Sequence, residues 1–310
     1  RVCLSCATRS VAVSCDAAAK CTFTIVKEML VPADMQKTHE RNFDLRRNEE
    51  LEALTITANV SLTKSSPMVE IEMTVDNTVR DHRLRLMVPT GVDTPTYRAG
   101  QQFWVAERNV AIDPATLTYE EKEQTEKAMT GFAYKRQGGR GLCFVSGGGL
   151  HEVGAFPGAE GMLAVTLLRC FGTAVNGYEA KDGQMQGKWN YRFGLLPLCE
   201  GDTDAAIQRR LDAFTTGVCA RYDRTALTDL QHRSFYRLEG ENTVFSTLKV
   251  AEDGEGKIFL KDGKVYDEEY RVLTRSLLTG VESPIGEILL GCAERVYCFG
   301  EVDGDTAAFL

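Results

Sequence analysis

The sequence of 310 residues has no long hydrophobic run. Its most apolar stretches, residues 162–168 and 285–290, are short enough to be strands. A membrane-spanning helix needs about 18 or more apolar residues in succession. We therefore expect no transmembrane segment and no membrane partner.

Clusters of basic residues are also missing. Lys and Arg number 36 against 44 Asp and Glu, which gives a formal net charge of −8. Nucleic-acid binding needs Lys and Arg gathered on one surface, and no basic block of about five or six residues occurs. We therefore expect no nucleic-acid partner.

Proline is scarce, and no internal repeat or low-complexity segment is visible. The chain has 8 prolines, 43% hydrophobic residues and 26% charged residues, which is the composition of an ordinary globular protein. This excludes a disordered or collagen-like chain. The length suggests about two domains.

The first residue is Arg1, so the sequence lacks an initiator Met. No charged segment followed by an apolar one, as in a signal peptide, is present near this end. We therefore expect the sequence to be a piece of a longer protein.

Ten cysteines are present, and most lie where core residues are expected. Cys143, Cys170 and Cys199 lie in or beside apolar, strand-like runs, where a thiol behaves as a small hydrophobic group. Because reduced thiols are typical of a reducing compartment, we expect a cytoplasmic location.

One group of cysteines has a metal-like spacing. Cys3 and Cys6 are followed by Cys15 and Cys21, and four thiolates suit a structural zinc ion. The second pair, however, lacks the two-residue spacing of a zinc knuckle. Only four histidines occur, and none are spaced as a metal-binding pair on a helix. We expect no metal or other cofactor in this chain, and the cysteine group is the alternative.

Alternation of apolar and polar residues dominates the chain. Val69, Ile71 and Met73 point to one side of a strand, and Glu70 and Glu72 point to the other. Similar patterns occur at residues 22–30, 54–62, 84–88, 103–110, 162–170, 189–196, 244–250 and 287–290. Because so many strands follow one another with few helices between them, we predict an all-β fold of antiparallel sheets.

Two segments carry helix signals instead. Residues 118–129 open with Thr118-x-x-Glu121, a capping-box pattern. Residues 204–214 place Ile207, Leu211 and Phe214 on one face. We predict a helix at each.

Glycine-rich segments mark the turns between strands. The three glycines 147–149 are predicted to form a turn, and Asp262-Gly263 is predicted to connect a two-residue hairpin. Apolar periodicity lapses between about residues 223 and 237. We therefore predict a first domain over residues 1–222 and a second over 223–310.

Local catalytic motifs are missing. The sequence has no Gly-x-Ser-x-Gly, no phosphate-binding loop and no His-Glu-x-x-His. Its main polar feature is Asp81-His82-Arg83-Leu84-Arg85, at the start of a predicted strand. Arg83 and Arg85 either form ion pairs with acids of neighbouring strands or line a groove for a polar ligand. Trp104 and Trp189 are expected in the core.

The same segment resembles a known signature. Asp76-Asn77, Asp81-His82-Arg83-Leu84-Arg85 and Val88-Pro89-Thr90-Gly91 together resemble the "DN…DHRLR…PTG" pattern in the C-terminal β region of the family 38 α-mannosidases. The further matches, in the family's order, are Gln102-Phe103, Glu107-Arg108, residues 139–142, 149–152, 163–169, 246–249 and 251–254. The series runs from about residue 31 to 254 and is most similar to bacterial members.

The resemblance implies a large antiparallel β-supersandwich, similar to galactose mutarotase, followed by a smaller β-sandwich. Family members hydrolyse α-mannosides with retention, using a carboxylate nucleophile, a carboxylic acid and a zinc ion. Those groups belong to an N-terminal barrel whose motifs do not occur in these 310 residues. The resemblance therefore implies a non-catalytic part with no catalytic residue and no metal ligand of its own. Zinc is expected in the missing domain, and the chain is expected to pack on that barrel and help wall the α-mannoside pocket.

Candidate substrate-binding residues follow from the same resemblance. An Arg-Arg pair found in other family branches is replaced here by Phe132-Ala133. Arg136 or Arg140 can substitute as donors to sugar hydroxyls, because a guanidinium offers several N–H groups in one plane. His82 and Arg83 are the further candidates. Without its barrel the chain should expose an apolar patch, so we also expect weak self-association into homo-oligomers.

Two other functions stay open at this point. An independent carbohydrate-binding module needs an exposed aromatic platform. A mutarotase-like sugar epimerase needs a histidine and a carboxylate that converge on a sugar ring, for which His82 and His151 are the only plausible bases. The fold alone does not separate these functions, because one architecture hosts many.

Overall fold

The computed structural model describes residues 6–37, 45–102, 104–158, 160–173, 179–216, 244–250, 259–261, 264–266 and 294–299. The chain forms two compact units: Arg1–Gly100 with Glu107–Glu200, and Gln101–Ala106 with Gly201–Leu310. The predicted boundary between residues 222 and 223 lies outside the described residues and stays a prediction. No helix in the described ranges is long and apolar enough to cross a membrane.

Strands make up most of the regular structure. One α-helix, α1 (Asp204–Thr216), and two short 3₁₀ helices, Pro114–Thr118 and Lys181–Gln184, complete the elements of the described ranges. The strands are β1 (Cys6–Ala17), β2 (Lys20–Pro32), β3 (Met35–Lys37), β4 (Leu45–Arg47), β5 (Leu51–Thr63), β6 (Val69–Asn77), β7 (Arg83–Pro89), β8 (Thr96–Gly100), β9 (Val105–Asn109), β10 (Lys127–Gln137), β11 (Arg140–Ala155), β12 (Met162–Arg169), β13 (Gly187–Leu198), β14 (Val244–Val250), β15 (Phe259–Lys261), β16 (Lys264–Tyr266) and β17 (Glu294–Phe299).

Eleven strands form one sheet. Nine of them follow one another in the order β1-β2-β5-β6-β13-β11-β10-β8-β9, and the other two, β12 and β7, form a branch. Strand β12 branches from β11 and pairs with β7 on its other side. From β1 to β8 along the main path, and in the branch, neighbouring strands are antiparallel. The predicted all-β, antiparallel fold class is confirmed.

One face of this sheet is apolar across five strands. In the register, Phe23 of β2 is opposite Val60 of β5, and Val60 is opposite Ile71 of β6, so these side chains share a face. Where this face reaches β13 it is buried, and Phe193 is 1% exposed. It is also buried at Leu54 and Ile56 of β5, but it is open to solvent at β1 and at the adjoining ends of β2 and β5. The exposed apolar face is defined by Val11, Val13, Phe23 and Leu62, which are 42–60% exposed.

The opposite face of the same strands carries hydroxyl and amide groups that bond across the sheet. The Thr24 hydroxyl donates to Asn59 Oδ1 over 2.8 Å, and Thr22 and Ser61 share a 2.9 Å bond. This alternation is what a strand with one apolar and one polar face requires.

Two apolar clusters are present among the described residues of the first unit. The larger contains Phe144, which is fully buried and packs on Phe193 with ring centroids 5.6 Å apart. The other lies around Val75, Leu84 and Leu168. Strand β7 contributes Leu84 to one cluster and Val88 to the other.

The first strand is irregular. Its ladder with β2 shifts register between Thr8 and Ser10 and again between Val13 and Cys15. Each shift leaves one residue without a direct partner, as in a β-bulge. Strand β1 is also the end of the described strand order.

The helix predicted at residues 204–214 is confirmed as α1, Asp204–Thr216. Thr203 caps it, because its hydroxyl accepts a 3.1 Å hydrogen bond from the Ala206 amide. The predicted apolar stripe of Ile207, Leu211 and Phe214 is buried.

The helix predicted at residues 118–129 is wrong. Thr118 is instead the last residue of a 3₁₀ helix that Asp113 caps at its start. Strand β10 then begins at Lys127. The segment between them has no apolar stripe to bury, so a capping pattern alone does not nucleate a helix there.

The turn predicted at glycines 147–149 is also wrong, because they lie inside β11. Thr130 is opposite Leu150 and Phe132 is opposite Val145, so four residues of β11 face only Gly131 of β10. Glycine suits this wide bulge, since a Cβ on Gly147 would lie 2.6 Å from the Arg192 carbonyl oxygen.

One expectation and one alternative about individual residue types are also wrong. Trp104 and Trp189, expected in the core, are 42% and 37% exposed. Cys6 and Cys15 lie nine residues apart on the extended strand β1, which separates them by about 30 Å. They cannot share one zinc ion, so the four-cysteine alternative fails.

The predicted hairpin around Asp262-Gly263 has the expected flanking strands. Phe259 is opposite Tyr266 and Lys261 is opposite Lys264, which leaves a two-residue connection. The connecting residues, the predicted strand at 287–290 and the predicted smaller β-sandwich as a whole lie outside the described residues.

The core makes a specific stability prediction. Phe144→Ala should lower the free energy of unfolding by about 3–5 kcal/mol, because it leaves a cavity at a fully buried site. Val13→Ala, on the exposed apolar face, should change it by less than about 0.5 kcal/mol. Urea denaturation followed by circular dichroism measures both, and equal losses would contradict the assignment of the core.

Candidate functional site

The signature segment lies in the loop between β6 and β7. Asn77 ends β6, and Asp81 and His82 precede β7. We use "signature cluster" for Asn77, Asp81 and His82 together with Cys170 and Gln184, which they contact across the fold.

Asn77 is buried and bonds to a distant turn. Its amide donates to the Met185 carbonyl over 2.7 Å and to the Gln184 carbonyl over 3.2 Å. It also contacts Cys170 Sγ at 3.4 Å, while its Oδ1 accepts from the Val79 amide at 3.3 Å. One side chain therefore links β6 to the segment that precedes β13.

Asp81 and Gln184 bond reciprocally. The Asp81 amide donates to Gln184 Oε1 over 2.9 Å, and Gln184 Nε2 donates to Asp81 Oδ1 over 2.7 Å. Asp81 has φ +52°, a left-handed conformation that Asp tolerates better than most residues. The Asp81 carboxylate therefore fixes a turn.

His82 and Cys170 are neighbours, with 3.9 Å between Nε2 and Sγ. Burial lowers the pKa of the His82 imidazole and raises the pKa of the Cys170 thiol. Both shifts favour the neutral forms, so the pair does not form the thiolate–imidazolium couple that a cysteine nucleophile requires. This part of the cluster is structural.

Arg83 and Arg85 form ion pairs, which is one of the two alternatives left by the sequence. Glu126 Oε1 accepts from Arg85 at 2.5 Å and lies 3.3 Å from Arg83. The Arg85 guanidinium also lies over the Phe156 ring at 5.8 Å. Sequence reasoning missed Glu126, because it placed this residue inside the predicted helix.

Arg136 and Arg140 lie at the other predicted location, the β10–β11 hairpin. Gly138 and Gly139 connect the strands with φ of +55° and +76°. The Arg136 guanidinium lies 5.8 Å from the Tyr134 ring, and Arg140 is exposed. The structure does not bring the Arg136 and Arg140 side chains together. Arg136 is opposite Gly141 and Arg140 is opposite Gln137, so the two arginines leave opposite faces of the ladder. His82 and Arg83 are sequence neighbours at the start of β7, and β12 lies between β7 and β11.

Lys135 was missed by the sequence analysis. Its side chain is fully buried, with Nζ 3.9 Å from Asp93 Oδ1. Burial lowers the pKa of this lysine, and Asp93 opposes the shift. The only sequence signal is a lone Lys in an apolar strand.

Neither cofactor nor epimerase chemistry finds support in the described ranges. No group of three or more His, Cys, Asp or Glu residues there is placed to hold a metal ion. His151 Nδ1 contacts the Thr166 carbonyl at 3.3 Å, and its ring packs edge-on against Phe144. Within the part of the chain that the structure describes, no carboxylate forms an ion pair with His82 or His151.

The chain is similar to several known proteins. No family model matches the chain. A curated protein of Halalkalibacterium halodurans, named "Putative mannosylglycerate hydrolase", is 25% identical over 217 residues. A solved α-mannosidase from Enterococcus faecalis V583 matches 95% of this chain with a TM-score of 0.67 and 20% identity. A solved glycosyl hydrolase family 38 protein, also from Enterococcus faecalis, matches 95% with a TM-score of 0.65 and 19% identity.

The chain has the fold of one part of a family 38 glycoside hydrolase. The resemblance seen in the motif series is thereby confirmed. The chain covers only 23% of the curated relative, and 35% and 36% of the two solved chains. The signature cluster lies in this β region, which its polar contacts stabilise.

The Asn77 contacts predict a measurable loss of stability. Asn77→Ala removes one donor from each of the Met185 and Gln184 carbonyls and removes the acceptor of the Val79 amide, so the free energy of unfolding should fall by about 1–3 kcal/mol. Asn190→Ala is the matched control, since Asn190 only accepts an exposed bond from Thr74. Denaturant unfolding compares the two, and similar losses would contradict the role of Asn77.

His82 makes a prediction about pH. Because burial lowers its folded-state pKa, the unfolded chain binds a proton first as the pH falls below about 6.5. Its contribution to stability is present above that pH and is lost below it. In NMR titration, the His82 ring signal, assigned by its absence in His82→Gln, should titrate below about pH 6.5. A midpoint at or above that value would refute the effect of burial.

Proposed function

We propose that the chain is the C-terminal, non-catalytic β region of an α-mannosidase. The observation that supports this is its coverage, because it matches about a third of the length of the solved family 38 chains across almost all of its own. The whole enzyme hydrolyses α-mannosides with retention. Its two carboxylates and its zinc ion are in the part outside this chain.

The exposed apolar face supports a packing role. Val11, Val13, Phe23 and Leu62 continue a core face that elsewhere in the sheet is buried. An apolar patch open to water marks an interaction surface. The occupant that we propose is the catalytic part of the same enzyme, since the relatives contain much additional chain. A second copy occupies the face only when that part is absent.

Arg136 and Arg140 are the residues that we propose to wall the sugar pocket. Both belong to the end of the β10–β11 hairpin, where their side chains leave opposite faces of the ladder. The contact with the Tyr134 ring holds the Arg136 guanidinium in place. Arg83 pairs with Glu126 and His82 lies in the signature cluster, so we assign these two a positioning role.

A reducing, cytoplasmic location is part of the same proposal. Cys15, Cys21 and Cys170 are thiols and not half-cystines. Thiols of this kind persist where glutathione or thioredoxin keeps them reduced.

The assay that tests the proposal is hydrolysis of a chromogenic α-mannoside. The 310-residue chain alone should give no turnover with or without added zinc, while a longer protein that contains it should be active. In that longer protein, Arg140→Ala should raise KM and leave kcat within about twofold, because the guanidinium binds substrate without taking part in bond breaking. Zinc-dependent turnover by the chain alone would overturn the proposal.

The same assay also tests the packing role of the exposed apolar face. Replacing Val13 and Leu62 by Asp in the longer protein should lower activity and the midpoint of thermal unfolding, because two charges would be buried in an apolar interface. Replacing Ala12 and Thr57 by Asp is the matched control, because these residues lie on the polar face of β1 and β5 and are not opposite each other. Equal effects from the two pairs would rule out this face as the contact.

A further inference from the structure

Two exposed aromatic residues contact the same turn. Trp189 opens β13 and is 37% exposed, and Phe171 follows β12 and is 42% exposed. Both contact one turn, which we define as the 3₁₀ helix Lys181–Gln184 and Met185, a residue with a left-handed conformation.

Both rings are anchored to this turn by defined contacts. The Trp189 indole donates its N–H to the Met185 carbonyl over 2.8 Å. The Phe171 amide donates to the Gly183 carbonyl over 2.9 Å. The Phe171 ring lies against Gly183, since a Cβ at this glycine would be 3.1 Å from Phe171 Cε2 and 2.6 Å from the Phe171 carbonyl oxygen. The absence of a side chain at Gly183 therefore allows this arrangement.

The signature cluster also bonds to this turn. Asn77 donates to the Met185 carbonyl that also accepts from Trp189. Gln184 of the same turn bonds reciprocally with Asp81 of the β6–β7 loop. Ordering the rings therefore costs little when a ligand binds, which is the advantage of a preorganised site.

The chemistry of the exposed surface selects the class of ligand. The indole N–H of Trp189 is already bonded, so what remains for a ligand is the aromatic surface, whose face carries negative partial charge. The C–H groups of a pyranose ring carry weak positive charge and pack on such a face. Exposed Asp182 belongs to the 3₁₀ helix of the same turn, and its carboxylate can accept hydrogen bonds from sugar hydroxyls. Gln186 Nε2 already donates to the Val79 carbonyl over 2.7 Å.

We propose that Trp189 and Phe171 form a carbohydrate-binding site for pyranosides. The site goes beyond the packing role and does not depend on it, because a β domain without an enzymatic parent could use the same rings. Its recognition is by ring stacking with a few polar contacts, so affinity should be weak and should rise with the length of the saccharide.

The two tryptophans of the chain permit a direct test. In the Trp104→Phe protein all tryptophan fluorescence comes from Trp189. Titration with methyl α-mannopyranoside and with an α-linked mannotriose should change the emission saturably, with half-saturation on the order of 1–10 mM and tighter for the triose. Glycerol at equal mass concentration should give no saturable change. The absence of saturation with both sugars would overturn the proposal.

Variants then locate the site by saturation-transfer NMR with the same sugars. Trp189→Ala and Phe171→Ala should each weaken binding at least about tenfold. Tyr119→Ala is the matched control, because Tyr119 is an aromatic residue of the same unit that is 60% exposed. Circular dichroism checks that each variant is folded, and Trp189→Phe keeps a ring without the anchoring N–H and should retain part of the affinity. Undiminished binding by Trp189→Ala, or equal loss in Tyr119→Ala, would overturn the proposal.

Discussion

The register of the antiparallel ladder is the constraint on which the rest of the first unit depends. Phe23, Val60 and Ile71 share a face only because their strands pair at one alignment. A shift of one residue would turn the apolar row to the polar side and expose the groups that now form the core. The same alignment places Gly187 opposite Asn77, which brings the turn before β13 within reach of the signature cluster.

The structural features that could be predicted from the sequence are those that depend on residues close together in the chain. Alternation along a strand is local, so β2, β5, β6, β12 and β13 were all predicted close to their observed limits. The helix α1 was predicted for the same reason, since its cap and its apolar stripe lie within one segment. The segment at residues 118–129 shows the opposite case, because a capping pattern without a stripe carries no burial energy.

The candidate site was harder to predict, because its contacts join residues far apart in sequence. Asn77 bonds to Met185 and Asp81 bonds to Gln184, and each pair is separated by more than a hundred residues. From the sequence, Asp81-His82-Arg83 could be interpreted as a ligand site or as structural support. The structure uses Asp81 and His82 within the signature cluster and pairs Arg83 with Glu126. Trp189 was misplaced for a similar reason: its indole rests on a turn outside the core, and local periodicity does not reveal this.

The two register shifts in β1 have a consequence for how the protein stays in solution. An edge strand with an adhesive apolar surface beside it is a template for intermolecular ladders and for fibril growth. The bulges near Arg9 and Ser14 interrupt the regular row of outward N–H and C=O groups, so an incoming strand would find only short matching stretches. The irregularity thus limits strand-by-strand polymerisation at an edge that lies beside an apolar surface.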